Sequence, residues 1–258
     1  MDRAAGLAPQ GTRRRSDPMK ICFVASPRPA AQDIVRQLAD RYGQCGLPEA
    51  DYVVVVGGDG TVLQALHGTL ATPGKPVFAM RLGGSLGVLA NRLDLAGLPD
   101  RLQSARRISL RPLRAEARDT SGRGKTIFGI NEIALVRERL QAAHLTVTIN
   151  RASPLPDVVG DGLVVATPIG STGYNHSIGG PELPLDLPLL AVTGISVSRV
   201  SRWADRVVDD GMIIDVAVRD PQYRPVRLET SQEEFFQLAE ARITCSRHLG
   251  ATLLREQA

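Results

Sequence analysis

Val53-Val54-Val55-Val56-Gly57-Gly58-Asp59-Gly60-Thr61 is the stretch that decides the fold. Four β-branched residues in a row describe a strand buried on both faces, and a strand that runs straight into glycines ends in a tight turn. Thr61-Val62-Leu63-Gln64-Ala65-Leu66 then reads as a helix. Main-chain amides at Gly57, Gly58 and Gly60, reinforced by the N-terminal end of that helix, offer a seat for an anion. A single carboxylate, Asp59, sits inside the seat. Phosphate would be repelled by it unless a metal ion or a proton-transfer role explains its presence; the plain alternative is a Gly-Asp-Gly turn in a doubly wound fold.

Working outward, residues 20–25 read as a first strand and residues 29–42 as a helix with Ile34, Leu38 and Tyr42 at i, i+4 and i+8. Gly43 is a natural stop. A strand at 76–80 and a helix over 94–106 continue a β/α alternation, which predicts a parallel sheet covered by helices with ligand at the carboxyl ends of its strands. Beyond residue 107 the character changes. Strands are expected at 127–136, 145–150, 162–167 and 212–218, and frequent prolines punctuate a segment with little helical periodicity. The expected organisation is a disordered tail over 1–18, an α/β domain over 19–107 and a β-rich domain over 108–258 whose last residues return to the first domain.

At 258 residues the chain can bury a substantial core, and 43% hydrophobic with 22% charged residues is the balance of a soluble globular protein. No apolar run is long enough to cross a membrane and no secretory leader opens the sequence, so a cytoplasmic protein is expected. Cys22, Cys45 and Cys245 are an odd set with no paired spacing, which implies neither a disulfide framework nor a zinc site. The net charge of +4 owes much to Arg13, Arg14 and Arg15 in the tail. With aromatics at 4% and no helix-turn-helix or finger spacing, small anions suit the charge better than nucleic acid does.

Three further polar segments stand out: Asn131-Glu132 on an expected strand, Gly160-Asp161-Gly162, and Thr167-Pro168-Ile169-Gly170-Ser171-Thr172-Gly173-Tyr174-Asn175, followed by Gly179-Gly180-Pro181. The last block combines glycines, hydroxyls and a Tyr in a loop able to wrap a sugar or phosphate. Gly124-Lys125-Thr126 mimics the end of a Walker loop, but Asp119 stands where that motif needs glycine, and its flanks predict a hairpin. No G-x-G-x-x-G run follows an expected strand, which argues against hydride-transferring dinucleotide enzymes.

Together these segments resemble the NAD kinase family, over nearly the whole chain from about Lys20 to Arg247. The glycine turn is shared with lipid kinases and phosphofructokinases, whereas Asn131-Glu132 and the block from Asp161 to Tyr174 with its Gly-Gly-Pro sequel resemble NAD kinases in particular. The resemblance implies an α/β domain and a β-sandwich-like domain with the active site in the cleft between them. It also implies phosphoryl transfer from ATP or polyphosphate to the 2′-hydroxyl of the adenosine ribose of NAD, with Mg²⁺ or another divalent metal and a homodimer or homotetramer.

On this resemblance Asp59 is the catalytic base, Asn131 and Glu132 bind ribose or nicotinamide groups, and the charge of Glu132 helps hold a metal. Asp161 contacts the dinucleotide, and Thr172, Gly173, Tyr174, Asn175, His176 and Ser177 form its binding loop. His144 lies near the ligand and Gln232 is retained near the C-terminus. Read without the family, Tyr174 is equally a packed aromatic and His144 an ordinary strand residue. The chain departs from the family pattern at Leu82, Val88 and Thr230. The competing readings are a lipid or other small-molecule kinase, and a non-catalytic NAD(P)-binding relative.

Overall fold

A computed structural model describes residues 19–72, 74–83 and 89–256. The tail over 1–18 and the departure at Val88 lie outside the described residues. The first part contains β1 (Ile21–Ala25), α1 (Pro29–Tyr42), β2 (Tyr52–Gly57), α2 (Asp59–Leu70), β3 (Val77–Arg81), β4 (Asn91–Arg92), α3 (Leu98–Ser104) and β5 (Arg106–Leu110). There follow β6 (Leu113–Asp119), β7 (Gly124–Gly129), β8 (Glu132–Arg137), β9 (Ala143–Ile149), β10 (Val158–Gly160), β11 (Gly162–Ala166), α4 (Pro168–Ser171) and α5 (Tyr174–Ser177). The chain ends in β12 (Leu189–Ile195), β13 (Arg206–Asp209), β14 (Ile214–Val218), β15 (Val226–Glu229), β16 (Glu234–Phe235), β17 (Leu238–Cys245) and β18 (Ala251–Arg255).

An α/β sheet in the order β1-β2-β3-β18-β5 holds the parallel strands β1, β2, β3 and β18, with β5 antiparallel at its edge. Its central strand explains the valine run. Val53 and Val55 pack with Val62 and Leu66 of α2 on one face, while Val54 and Val56 pack with Ala31 and Leu38 of α1 on the other. A strand covered on both faces has no polar side, so the alternation of a half-exposed strand is missing from its sequence. The division expected at residue 107 falls inside β5, and β18 supplies an interior strand of this sheet from the far end of the chain.

The remaining strands form two six-stranded sheets, β10-β9-β14-β17-β6-β7 and β13-β12-β11-β8-β15-β16. Their pairings are antiparallel. Leu113, Ile127, Val147 and Ile243 of the first meet Ile133, Leu163, Val192 and Leu228 of the second in one apolar layer, so the second part is a β-sandwich. Gly124-Lys125-Thr126 opens β7, an arm of the β6–β7 hairpin, rather than a strand-to-helix junction.

Two elements differ from the sequence pattern. The helix expected over 94–106 is only α3. Asp94 accepts a hydrogen bond from the Ala96 amide at 2.9 Å, Gly97 takes a left-handed turn (φ 59°), and the chain becomes extended at Ala105 to enter β5. The strand expected over 127–136 is two strands, β7 and β8, that belong to opposite sheets of the sandwich. Between them Ile130 turns into the core of the α/β sheet, where it packs with Ile169, Val62 and Leu66.

Candidate active site

β2 delivers Gly57 to the start of α2, and the helix begins at Asp59, two residues earlier than the sequence pattern indicates. Gly58 caps it with extended backbone and makes no side-chain cap bond to the first-turn amides. Asp59 is half-buried, and one carboxylate oxygen accepts the Leu89 amide at 3.2 Å. A methyl group built on Gly60 would meet nothing within 4 Å among the described residues, whereas one on Gly57 would lie 2.9 to 3.1 Å from side-chain atoms of Thr61 and Ser26. Ser26 ends this wall with a buried hydroxyl that lacks a hydrogen-bond partner among the described residues.

The other polar residues gather where strands cross between sheets. Asn131 and Glu132 lie at the β7-to-β8 crossing, and Asp161 lies at a second one, between β10 in one sheet and β11 in the other. Asp161 is held by Arg137, whose Nε stands 2.8 Å from Oδ1. The Asn131 carbonyl accepts the Thr167 amide at 2.8 Å and the Thr167 hydroxyl at 2.9 Å, which seats the loop from 167 onward directly on the first crossing. Gly170 allows the approach, because a Cβ there would sit 2.2 Å from the Asn131 carbonyl oxygen.

Two acceptors at this crossing are orphaned. Asn131 Oδ1 and Glu132 Oε2 are buried with no hydrogen-bond partner among the described residues. Burial raises the Glu132 carboxyl to about 7, because a charge there is poorly solvated. Tyr174 is also pushed up, first by burial and then by the nearby carboxylates of Glu229 and Asp161. Glu132, Asp161 and Tyr174 are thus brought together, along with Glu229 and Arg227.

The raised Glu132 value has a stability consequence. In the unfolded chain the carboxyl ionises near 4.5, so between about pH 4.5 and 7 the folded state holds the extra proton. Stability from this group is therefore full below pH 4.5 and is lost as pH rises through 7. Glu132→Gln is expected to be near neutral at pH 4.5 and to stabilise the ligand-free protein by up to about 3 kcal/mol at pH 8, measured by urea unfolding. An equal effect at both pH values would contradict the ionisation argument.

The remaining candidates are placed differently. Asn175 is fully buried. Its amide donates to the Pro181 carbonyl at 2.8 Å and its Oδ1 accepts the Thr193 hydroxyl at 2.7 Å, so the side chain is spent on holding the loop in shape. Thr172, Gly173, His176 and Ser177 are exposed along that loop; His176 faces Glu182 at 3.0 Å, and the Ser177 hydroxyl donates back to the Gly173 carbonyl at 3.2 Å. His144 contacts Asp157 at 2.7 Å in the β9–β10 pair, and no hydrogen bond or ion pair joins it to the Glu132 group among the described residues.

Gln232 is exposed in the β15–β16 turn, whose Ser231 reaches His67 of α2 at 3.5 Å. In the same turn the Thr230 hydroxyl accepts the Gln232 and Glu233 amides at 3.3 and 3.2 Å, a capping task that an Asp side chain also performs. Leu82 packs with the α1-side core.

Sequence reading missed Ser26, Arg137 and Arg227. Arg227 binds Glu229 at 2.7 Å and Glu234 at 3.4 Å. Val226 and Leu228 face the sandwich core, which turns Arg227 and Glu229 to the other face of the sheet. The alternation in those four residues was the available signal.

A family model described as the ATP-NAD kinase C-terminal domain matches residues 130–248. An NAD kinase of Hyphomonas neptunium is 40% identical over 226 residues, covering 88% of each chain. An NAD kinase of Xylella fastidiosa is 39% identical over 235 residues, covering 91% of this chain and 90% of its own. Among solved structures, yeast NADH kinase complexed with NADH superposes with a TM-score of 0.77 at 17% identity, covering 94% of this chain and 85% of its own. An NAD kinase from Archaeoglobus fulgidus in complex with ATP gives 0.75 at 21% identity, covering 93% and 94%. The solved structures share the fold, and the 39–40% identity to the Hyphomonas and Xylella kinases along most of both sequences shows that the chain belongs to the NAD kinase family.

Proposed function

We propose that the protein transfers a phosphoryl group from ATP to the 2′-hydroxyl of the adenosine ribose of NAD, giving NADP and ADP. Beyond family membership, the observation that carries this reading is the pair of orphaned acceptors, Asn131 Oδ1 and Glu132 Oε2. Buried polar atoms without partners are costly in an empty site and are satisfied by a ligand rich in hydroxyl and amide donors, which a dinucleotide is. Tyr174 lies near enough to feel the charges of Glu229, Asp161, Arg227 and Glu132.

Donor phosphates are assigned to the glycine turn, where the uncapped first-turn amides of α2 and the Ser26 hydroxyl provide donors. Asp59 accepts the ribose proton as the 2′-oxygen attacks the γ-phosphorus and ADP departs. Among the described residues no three His, Cys, Asp or Glu side chains cluster to hold an ion. Such a setting fits a divalent cation that arrives on substrate phosphates and takes at most one or two carboxylates, with Asp59 and Glu132 the candidates. When bound there, such a cation would supply charge neutralisation for phosphoryl transfer. Polyphosphate is the alternative donor.

Three unpaired thiols suit a reducing compartment such as the cytoplasm. Among the described residues no helix is long and apolar enough to cross a membrane. Val200 and Val207, 86% and 48% exposed, leave apolar surface that self-association would cover, consistent with a homodimer or homotetramer; light scattering reads the mass.

The test is direct. Purified protein incubated with NAD, ATP and Mg²⁺ should form NADP, followed with an NADP-specific dehydrogenase. Binding of NAD without product would instead make the chain a non-catalytic binder.

A further inference from the structure

We propose that Arg81, with Arg92 one strand further out, holds the phosphate chain of the donor over the glycine turn. The assignment rests on the kinase reading and deepens it, because it gives the donor seat a positive side-chain wall.

Strand register fixes where these residues stand. Ala25 pairs with Val56, Gly57 with Arg81, and Arg81 with Arg92, while the Ser26 amide donates to the Val56 carbonyl at 2.9 Å. Ser26, Gly57, Arg81 and Arg92 therefore form one row across the carboxyl ends of β1, β2, β3 and β4, with neighbours about 4.8 Å apart.

Alternation decides the face. Val53, Val55, Val77 and Ala79 pack in the core beneath α2, whereas Val54, Val56, Phe78 and Met80 pack on the α1 side. Gly57 and Arg81 continue the first set, so both belong to the face on which α2 begins. Arg92 shares that face with its pair partner Arg81, and Leu93, next along the chain, packs on the α1 side. Both arginines are exposed. Arg101 shows the fate of a guanidinium on the other face: it lies 5.2 Å from the centroid of the Phe78 ring and binds the Glu256 carboxylate at 2.6 and 3.0 Å.

Ser26 supplies an independent sign of a ligand in the row. It is 6% exposed, its hydroxyl has no hydrogen-bond partner among the described residues, and its Cβ would stand 3.1 Å from a Cβ built on Gly57. A buried hydroxyl left unsatisfied beside the turn is accounted for by a ligand oxygen that accepts from it.

Charge selects the ligand. Asp59 alone would repel phosphate from the turn, and two guanidinium groups on the same face more than offset its single charge. Arg255 of β18 adds a third, with Nη1 donating to the Ala90 carbonyl at 3.1 Å. Guanidinium forks in a row fit the successive oxygens of a phosphate chain better than a single carboxylate.

Inorganic tripolyphosphate without metal is the probe, titrated into the full chain by calorimetry. Saturable binding is expected, weakened about tenfold in Arg81→Gln and by less in Arg92→Gln, which lies one strand further from Gly57. Arg36→Gln removes the same charge from an exposed position of α1 and is expected to leave the affinity unchanged. All three arginines are exposed, so the variants should keep the melting temperature of the unmodified chain. In turnover, Arg81→Gln should raise KM for ATP and leave KM for NAD unchanged. The absence of saturable binding, a loss in Arg81→Gln no larger than in Arg36→Gln, or an unchanged KM for ATP overturns the proposal. Tripolyphosphate binding is read without NAD. A chain that binds it through Arg81 yet forms no NADP loses the kinase reading alone, and one that forms NADP while Arg81→Gln binds tripolyphosphate undiminished loses this assignment alone.

Discussion

Asp59→Asn is expected to lower turnover of NAD to NADP by about 10²- to 10⁴-fold, the usual contribution of a positioned general base, while NAD affinity changes by less than about twofold. The substitution is nearly isosteric. Asn keeps an oxygen that accepts the Leu89 amide. What it loses is a carboxylate able to take a proton, the role proposed for Asp59. Steady-state kcat and calorimetric NAD affinity, measured on the same preparation, separate the two effects. Equal losses in both would mean that Asp59 acts in binding, and an unchanged kcat would remove it from the chemistry.

Gly170→Ala is expected to be a strongly damaging single-methyl change in the sandwich half of the site. The added carbon would lie 2.2, 2.5 and 2.8 Å from the carbonyl oxygen, carbonyl carbon and Cα of Asn131. Those are backbone atoms, so no side-chain rotation relieves the clash. Either α4 lifts or the β7-to-β8 crossing shifts, at a cost of about 2–4 kcal/mol. Because that crossing also presents Asn131 and Glu132, NAD affinity should fall about tenfold or more. Gly68→Ala is the control. It lies inside α2, its new Cβ would meet only Leu47 at 3.9 Å, and it is expected to stabilise by about 0.5–1 kcal/mol. Urea unfolding of the two variants should move in opposite directions.

The contrast between these glycines bears on what was legible beforehand. The valine run at 53–56 announced a strand buried on both faces because the absence of a polar side is itself a pattern. The Gly-Asp-Gly turn followed because few local structures accept that composition after a strand. Both are near-neighbour properties. The break inside 127–136 was not readable, since Ile127 through Val136 are apolar enough for one continuous strand, and only Ile130 packing into the other domain's core splits it. The two orphaned oxygens are a product of that split, and nothing local to Asn131-Glu132 reveals them.

His144 and Asn175 show the same limit from the other side. Each lies in a stretch that matches the family pattern, yet the structure commits His144 to Asp157 and the Asn175 amide to Thr193 and Pro181. Local pattern places a residue in an element; which way it faces depends on partners far along the chain. Arg227 illustrates the reverse, a residue with no motif around it that a four-residue strand turns toward Tyr174.

β18 has a consequence for biosynthesis. Since residues 251–255 supply the strand between β3 and β5, the parallel sheet holding the glycine turn stays open until those residues have left the ribosome, although its other strands emerge well before them. The sandwich can pair up from contiguous sequence in the meantime. A nascent chain stalled before Ala251 would expose two unpaired strand edges flanking Val77 and Ile108, a target for chaperones and for aggregation alike.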